Sequence, residues 1–589
     1  MRLIDGRRIA TVRCMAHPGE RPFRRRSALP AIAAMLALAV ACSAVGGTAV
    51  PATNIPAGVS STPADSTVAN STAVDSTAAD RTTADRTTAD RTTPDRTTEA
   101  GTAAGVEPSS PADRARSSST APSTTAAGHE SSEPSVAPDP APAGVGAAGI
   151  GDDYYPASGN GGYDVAGYQV ALVYRPESNA LTATTTVTAT VTSAEGLRRF
   201  NFDLQPTMKV SAVTINQVAA GFTHSDAELV VTPAAPLPSG SVFTAVVTYA
   251  GAPTSVSGGT AGLGDGGWYR TQSGGALVAG EPLSASAWYP VNEHPSDPAT
   301  FAVTATVPHK WKVISNGVEQ TTGLPAAPAG MEAFRWVQGV PIASYLTTLY
   351  IDTFTVKTGH LANGTPVLSA IAPGDTEDAA LHDMTPRVID VLSKYFGKYP
   401  FKAVGGIYSN ENIPFALETA TRPVYADWVD LDTVVHELAH QWYGDDVMVH
   451  RWADVCLNEC FASYAPWLWH ADIDKADLDA QWHVQMQEAV TDPSFWRSPL
   501  VDMGAGHEFT AVYQRGPLAL HALRHQMGDA KFLALLKKWP ATYSGKNASF
   551  DDLESMASEL AGQDLRPFFQ VWFRGTRAPA RSDYPAGLR

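Results

Sequence analysis

A change in the spacing of apolar residues divides the chain and limits what it can fold into. Between Tyr154 and about Thr353, stretches such as "YQVALVY" and "VFTAVVTY" alternate apolar residues with small polar or β-branched ones, a pattern typical of strands. From about Glu377, apolar residues recur three and four positions apart, as on helices. The pattern predicts an α+β multidomain protein, with an antiparallel β-domain (a sandwich or a saddle) before a mainly helical domain.

Length and charge agree with this division and exclude one class of partner. The 589 residues are too many for a single core, so more than one domain is expected. The net charge of -17 argues against a nucleic-acid-binding surface, which needs a basic patch. Only four cysteines occur, so no disulfide framework is expected. Cys456 and Cys460 are predicted to be small buried residues on one side of a helix.

The first 42 residues have the pattern of an export signal. Three arginines, Arg24, Arg25 and Arg26, precede an apolar run of 14 residues, which is short for a membrane span and suits a signal peptide. The run ends in "LAVAC", which resembles a bacterial lipobox with Cys42 as the lipidated residue. We therefore predict an exported protein. It is either attached to the cell envelope through lipid on Cys42 or cleaved and extracellular.

Residues 43–150 are predicted to form a disordered tether. They are rich in Ala, Ser, Thr, Pro and Gly, and they include "DRTTADRTTADRTTPDRTT", whose aspartates recur every five residues. This period fits neither a helix nor a strand. A segment with so few large apolar side chains cannot offset the entropy lost on ordering.

Two histidines and two glutamates in an apolar part of the helical half predict a metal site. His436 and His440 are four apart, so both imidazoles lie on one face of a helix, and Glu437 lies beside them. Glu459 follows on a second helix, predicted from about Asp454 to Ala465. Two histidines and one glutamate form a standard catalytic zinc set that leaves one position for water. Glu437 would then be the general base.

Two boundaries and one alternative accompany this prediction. Gly444 is expected to end the first helix, and Pro466 to end or kink the second. The alternative is a helix whose histidines are satisfied by ordinary hydrogen bonds. Six further histidines are predicted to be surface or hydrogen-bonded residues and not ligands: His450, His470, His483, His507, His521 and His525.

The stretch "HELAHQWYGD" followed by "LNECFASYA" resembles the signature of the aminopeptidase N family of zinc metallopeptidases, or gluzincins. That family reads HExxH, then eighteen residues, then Glu. The chain has His436, Glu437 and His440, then eighteen residues, then Glu459. Cys456 and Cys460 stand where relatives usually have tryptophan and glycine. The resemblance implies one Zn²⁺ per chain, held by His436, His440 and Glu459.

Two more glutamates come from the same resemblance. "FALET", residues 415–419, resembles the family's Gly-Ala-Met-Glu-Asn motif, which makes Glu418 the residue that binds the substrate's free α-amino group. Glu281 stands before "Ala285 … Pro290 … NEHP", at the place of the family's second anchor for that amine. A carboxylate is a suitable partner for an ammonium group.

Downstream, "AVYQRGPLAL" resembles the family's Tyr-x-Lys-Gly stretch. Tyr513 would donate its hydroxyl to the oxyanion, and Arg515 would keep the usual charge. The resemblance covers roughly residues 154–589. It implies a β-saddle domain at 151–355 and a thermolysin-like catalytic domain at 356–589, in a short form without the large helical-repeat domain of many relatives.

The predicted function is that of a zinc-dependent aminopeptidase acting on peptides with a free N-terminus. Two alternatives stay open at this point. A zinc endopeptidase would share the metal site but would have no use for paired carboxylates at the amine. A catalytically inactive surface-binding module would have no reason to keep the ligand set and Glu437. Side-chain preference and oligomeric state do not follow from the sequence.

Overall fold

The computed structural model describes residues 142–257, residue 260 and residues 263–589. The predicted signal peptide, Cys42 and nearly all of the predicted tether lie outside these residues. Val145 already forms a bridge with Arg199, and the Gly146 amide donates a 2.8 Å hydrogen bond to the Arg199 carbonyl. Ordered pairing therefore begins before residue 150, the predicted end of the tether.

The alternating pattern of the first half forms strands, as predicted. In chain order the strands are β1 (Tyr163–Arg175), β2 (Ala180–Val191), β3 (Phe200–Asp203), β4 (Met208–Ile215), β5 (Val218–Ala219), β6 (Gly221–Ser225), β7 (Glu228–Thr232), β8 (Val242–Gly251), β9 (Ser255–Val256), β10 (Gly266–Arg270), β11 (Ala276–Ala279), β12 (Ala299–Pro308), β13 (Lys312–Ser315), β14 (Val318–Glu319), β15 (Met331–Ile342) and β16 (Leu349–Asp352). In β2 the alternate residues Leu181, Ala183 and Val187 are buried.

These strands form three sheets, of eight, five and three strands. The largest has the order β14-β15-β12-β1-β2-β8-β4-β5. One pairing differs from the purely antiparallel sheet that was predicted: β1 and β12 are parallel, from Gly167 opposite Thr300 to Val173 opposite Thr306. Parallel neighbours need a long connection, and the chain between β1 and β12 provides it with ten further strands.

The second half is mainly helical, also as predicted. Its first strands form a four-stranded sheet: β17 (Thr355–His360), β18 (Pro366–Ile371), β19 (Val404–Tyr408) and β20 (Val424–Tyr425). A two-stranded sheet pairs β21 (Val447–Val449) with β22 (Lys546–Ala548). The helices are α1 (Thr376–Phe396), α2 (Leu431–Ala439), α3 (Cys456–Ile473), α4 (Leu478–Ala489), α5 (Val512–Met527), α6 (Asp529–Tyr543), α7 (Phe550–Ala561) and α8 (Arg566–Trp572). Among the described residues, no helix has the length and apolar character needed to cross a membrane.

Three local predictions around the motif need correction. Helix α2 ends at Ala439 and not at Gly444, because the chain turns directly after His440. Helix α3 continues through Pro466 to Ile473. A proline there removes one helical hydrogen bond, but burial along nearly all of α3 holds the helix together across the gap. Cys456 and Cys460 are joined in a disulfide on the first turns of α3 and are not separate thiols.

Candidate active site

Helix α2 places the two histidines of the motif side by side. Asp430 caps the helix by accepting a 2.9 Å hydrogen bond from the Thr433 amide. His436 lies one turn before His440, so the rings share a face, and their Nε2 atoms are 3.1 Å apart. Both side chains are buried.

Glu459 approaches the same point from α3. Its Oε2 lies 3.3 Å from His436 Nε2 and 3.6 Å from His440 Nε2, and none of the described residues donates a hydrogen bond to this oxygen. Ligand atoms that share one tetrahedral zinc ion lie about 3.3 Å apart. A buried carboxylate oxygen facing two imidazole nitrogens at these distances is suited to a divalent cation. The three predicted ligands therefore fit zinc.

A contact at Nδ1, the ring nitrogen that does not face the other ligands, fixes the orientation of His440. Its Nδ1 lies 3.0 Å from the Tyr443 carbonyl oxygen, so Nδ1 carries the proton and Nε2 keeps its lone pair for the cation. Gly444, next along the turn, has a φ of +127°. A Cβ at that position would lie 3.3 Å from His440 Nδ1, so the glycine leaves room for the ring.

Glu437 lies beside the ligands as predicted. It is buried, and one of its oxygens is within 4.8 Å of ligand atoms of Glu418 and His440. Burial raises the pKa of the Glu437 carboxyl well above its usual value, while His440 acts in the opposite direction. A carboxyl group in this environment is suited to accept and return a proton.

The structure also brings the two predicted amine anchors together. Glu281 follows β11, Glu418 precedes β20, and their carboxylate oxygens lie within 4.8 Å of each other and of Glu459. Burial, with the nearby charges of Glu418 and Glu459, raises the pKa of Glu281 well above its usual value. Glu281 Oε1 is buried, and it has no hydrogen-bond partner in the part of the chain that the structure describes.

Tyr345 contacts Glu418, and the sequence did not indicate this contact. Its hydroxyl donates a 3.2 Å hydrogen bond to Glu418 Oε1, and its buried ring lies 5.3 Å from that of Trp452 in the second half. Tyr345 is one of 19 tyrosines and belongs to no motif. Only the packing of the two halves identifies it.

The side chains around the metal ligands form one acidic pocket. No lysine or arginine lines it in the part of the chain that the structure describes. Four glutamates converge in it, so the pocket attracts cations. Its lining residues are Leu263, Glu281, Phe415, Ala416, Leu417, Glu418, His436, Glu437, His440, Glu459 and Tyr513.

Tyr513 reaches the pocket from the first turn of α5. Its ring centroid lies 6.0 Å from that of His436. Helix α5 comes very close to α3 at Gly516, where a Cβ would lie 2.9 Å from the Cα of Cys460. This close approach brings Tyr513 beside the ligands.

Arg515 does not line the pocket, although the sequence resemblance aligned it with a lysine of the family motif. It is buried, and its guanidinium donates hydrogen bonds to the carbonyls of Trp572 (3.0 Å) and Gly575 (2.7 Å). It also lies over the ring of Trp496, 4.9 Å from the centroid. These hydrogen bonds join α5 to the end of α8 and the residues just after it.

Comparisons with known proteins agree with this geometry. Residues 415–572 match the Peptidase family M1 domain. An M1 zinc metallopeptidase of Deinococcus radiodurans has a crystal structure that superposes with a TM-score of 0.67 at 30% identity, over 74% of this chain and 99% of that one. A glutamate-to-alanine mutant of a two-domain M1 zinc metallopeptidase with L-arginine bound gives a TM-score of 0.68, at the same identity and coverage.

The curated relatives are more distant and longer. Aminopeptidase N of Streptomyces lividans is 25% identical over 315 residues, which are 48% of this chain and 36% of that protein. Glutamyl aminopeptidase of Mus musculus is 23% identical over 318 residues, 50% of this chain and 33% of that protein. The chain thus spans about a third of the length of these relatives.

The solved structures match nearly from end to end at 30% identity, and the fold is the same two-domain arrangement of a sheet-rich N-terminal part and a helical C-terminal part. With the family domain and the buried His-His-Glu cluster in one place, the chain belongs to peptidase family M1 and is a zinc metallopeptidase that hydrolyses peptide bonds.

Proposed function

We propose that the enzyme is an aminopeptidase, which removes residues from the N-terminus of peptides. The pairing of Glu281 with Glu418 beside the metal ligands is the observation that carries this proposal. Among the described residues, no lysine or arginine lines the pocket that holds these two buried carboxylates, so a cation must come from elsewhere. The α-ammonium group of a peptide supplies it, and a fixed ammonium site admits only the first residue of a chain.

One solved relative supports this type of substrate. A glutamate-to-alanine mutant of an M1 zinc metallopeptidase of Deinococcus radiodurans, 30% identical with a TM-score of 0.67, has a crystal structure with bound Tyr-Ser-Ala substrate. A short peptide of that kind presents a free amine next to its first peptide bond. We assign the same class of substrate to this chain.

The roles of the side chains follow from their positions. Glu281 and Glu418 hold the ammonium group and so place the first peptide bond over His436, His440 and Glu459. Bound zinc supplies electrophilic chemistry, because a divalent cation polarises a carbonyl and lowers the pKa of water. Glu437 takes a proton from the attacking water and gives it to the departing amine. The Tyr513 hydroxyl donates to the carbonyl oxygen as negative charge develops on it.

The decisive experiment compares wild type with Glu437→Gln on Tyr-Ser-Ala and on its N-acetylated form, with zinc measured in both proteins. The variant should keep its zinc and lose at least about 100-fold in kcat, because it has no general base. Neither protein should cleave the acetylated peptide. Equal cleavage of both peptides by wild type would favour a zinc endopeptidase. If wild type cleaved neither peptide, a surface-binding module would be favoured. Retained turnover in Glu437→Gln would remove Glu437 from the mechanism.

We also propose that the enzyme is exported, and that it is either attached to the envelope through lipid on Cys42 or cleaved and released. This proposal rests on the sequence of residues 1–42 alone. Expression of wild type and Cys42→Ser, followed by separation of membrane and soluble fractions, tests it. Lipidation predicts wild type with the membrane and the variant in the soluble fraction. Identical partition of the two proteins would refute lipid attachment at Cys42.

A further inference from the structure

A second group of metal-ligating side chains lies on α4 and α5, apart from the catalytic residues. His521 and His525 are one turn apart on α5, and Asp479 is on the first turn of α4. Asp479 Oδ1 lies 2.9 Å from His521 Nε2 and 2.8 Å from His525 Nε2. The three atoms converge on one point, although the sequence predicted no ligand role for either histidine.

We propose that Asp479, His521 and His525 form a second divalent-metal site, suited to zinc or a similar transition metal. Two imidazoles and one carboxylate are ligands that these cations prefer. Histidines four apart on a helix present both rings to one ion, as His436 and His440 do. Asp479 is half exposed, so water can complete the coordination.

The surroundings hold both rings in place. His521 is 1% exposed, and its Nδ1 lies 2.9 Å from the Tyr464 hydroxyl. With a metal on Nε2, Nδ1 carries the proton and donates to Tyr464, which is the usual outer contact of a metal-bound histidine. His525 lies against Gly587, where a Cβ would be 2.4 Å from its Nδ1. Both rings are therefore positioned by packing as well as by Asp479.

An ordinary ion pair is the competing explanation. Both imidazoles could donate to Asp479 without any metal, since each Nε2 is at hydrogen-bond distance. Tyr464 would then donate to His521 Nδ1. The two explanations differ in metal stoichiometry and in the effect of metal on thermal stability, so both can be measured independently of catalysis.

The proposed site would join two helices that the catalytic ligands do not join. Asp479 lies near the beginning of α4, and His525 lies in the last turn of α5. A cation binding there would stabilise the native state, because the three groups come together only in the folded chain. The role assigned to this ion is structural. It adds one equivalent to the single zinc predicted for the catalytic site.

Metal stoichiometry after loading with zinc and gel filtration tests the proposal. Wild type should retain two equivalents. His436→Ala/His440→Ala should retain one, which separates the second site from the catalytic one. His525→Ala should also retain one, and the triple variant none. His360→Ala, an exposed histidine on β17, is the matched control and should retain two.

Tyr464→Phe provides a second and milder variant. It should bind the second zinc roughly 10-fold more weakly, through loss of the outer contact to His521. In the His436→Ala/His440→Ala background, added zinc should raise the Tm, and His525→Ala should abolish this rise. A single equivalent in wild type, or equal stoichiometry in wild type and His525→Ala, would overturn the site. Neither result would affect the aminopeptidase assignment, which Tyr-Ser-Ala hydrolysis tests separately.

Discussion

Glu281 and Glu418 come from opposite halves of the chain, yet their carboxylate oxygens lie within 4.8 Å of each other in a buried pocket. Two like charges so close together are unfavourable without a cation between them. Glu459, a predicted metal ligand, lies within the same distance. This arrangement would place the proposed ammonium site directly beside the proposed metal site.

Neutralising either anchor should weaken recognition of the free amine. Glu418→Gln and Glu281→Gln should each lower kcat/KM on Tyr-Ser-Ala roughly 10- to 100-fold, since a hydrogen bond to a charged group contributes about 1.5–3 kcal/mol. Zinc content should not change. Steady-state kinetics and metal analysis check both statements. Glu319→Gln, an exposed glutamate on β14, is the control. Unchanged kcat/KM in both anchor variants would contradict an ammonium site.

Tyr513→Phe should affect the chemical step and not binding. Loss of the hydroxyl removes a donor to the developing oxyanion, so kcat should fall about 100- to 1,000-fold while KM changes little. Zinc content and Tm should match wild type, because the ring is kept. Tyr543→Phe, at the end of α6, provides a tyrosine control outside the pocket. A rise in KM with constant kcat would instead make Tyr513 a binding residue.

The parts of this site that could be predicted are those encoded within one or two helices. The spacing of His436, Glu437 and His440 fixes their common face, and a second apolar helix brings Glu459. Glu281, Glu418 and Tyr513 could be named only through a family resemblance. Tyr345 depends on packing between distant segments, for which no local pattern exists. The same holds for the approach of Asp479 to His521, although the spacing of His521 and His525 is itself a local pattern.

In the fold, too, local patterns could be predicted from the sequence and contacts between distant segments could not. Alternation of apolar residues predicted the strands, but it does not say which strands are neighbours, so the parallel pairing of β1 with β12 was missed. Pro466 was expected to end or kink α3 because proline disfavours a helix locally. Burial of residues on both sides of it outweighs that local cost. The Cys456–Cys460 disulfide was likewise not expected from a chain with so few cysteines.

His382 should make folding sensitive to mild acid. It is buried on α1, with Nδ1 2.7 Å from Ser369 Oγ, and burial lowers its pKa to about 4. Its unfolded pKa is about 6.5, so the unfolded chain binds more protons between these values. The stability that neutral His382 contributes is therefore complete above pH 6.5 and is lost as the pH falls towards 4.

Urea unfolding at pH 7 and pH 4.5 measures this effect. Wild type should lose roughly 2–3 kcal/mol of unfolding free energy over this range from His382 alone. Glutamine does not titrate, so His382→Gln should lose roughly 2–3 kcal/mol less unfolding free energy than wild type over the same range. The exposed control His360→Gln should lose as much as wild type. Loss of zinc at acid pH affects all three proteins alike, so the difference between them isolates His382. Parallel losses in His382→Gln and wild type would contradict the prediction.

Gly516 should be more important for activity than its distance from the chemistry suggests. A Cβ there would lie 2.9 Å from the Cα and 2.8 Å from the Sγ of Cys460, and a backbone atom cannot move aside as a flexible side chain can. Gly516→Ala should therefore push α5 away from α3 and displace Tyr513 from the ligands. A displacement of about 1 Å is enough to lower kcat roughly 100-fold. Kinetics and Tm should be measured with Gly339→Ala, whose added Cβ would meet no atom within 4 Å, as the control.

If Gly516→Ala kept full kcat, the α3–α5 approach would not be what positions Tyr513. A fall in kcat that Tyr513→Phe does not deepen further would confirm that both variants act through the same hydroxyl.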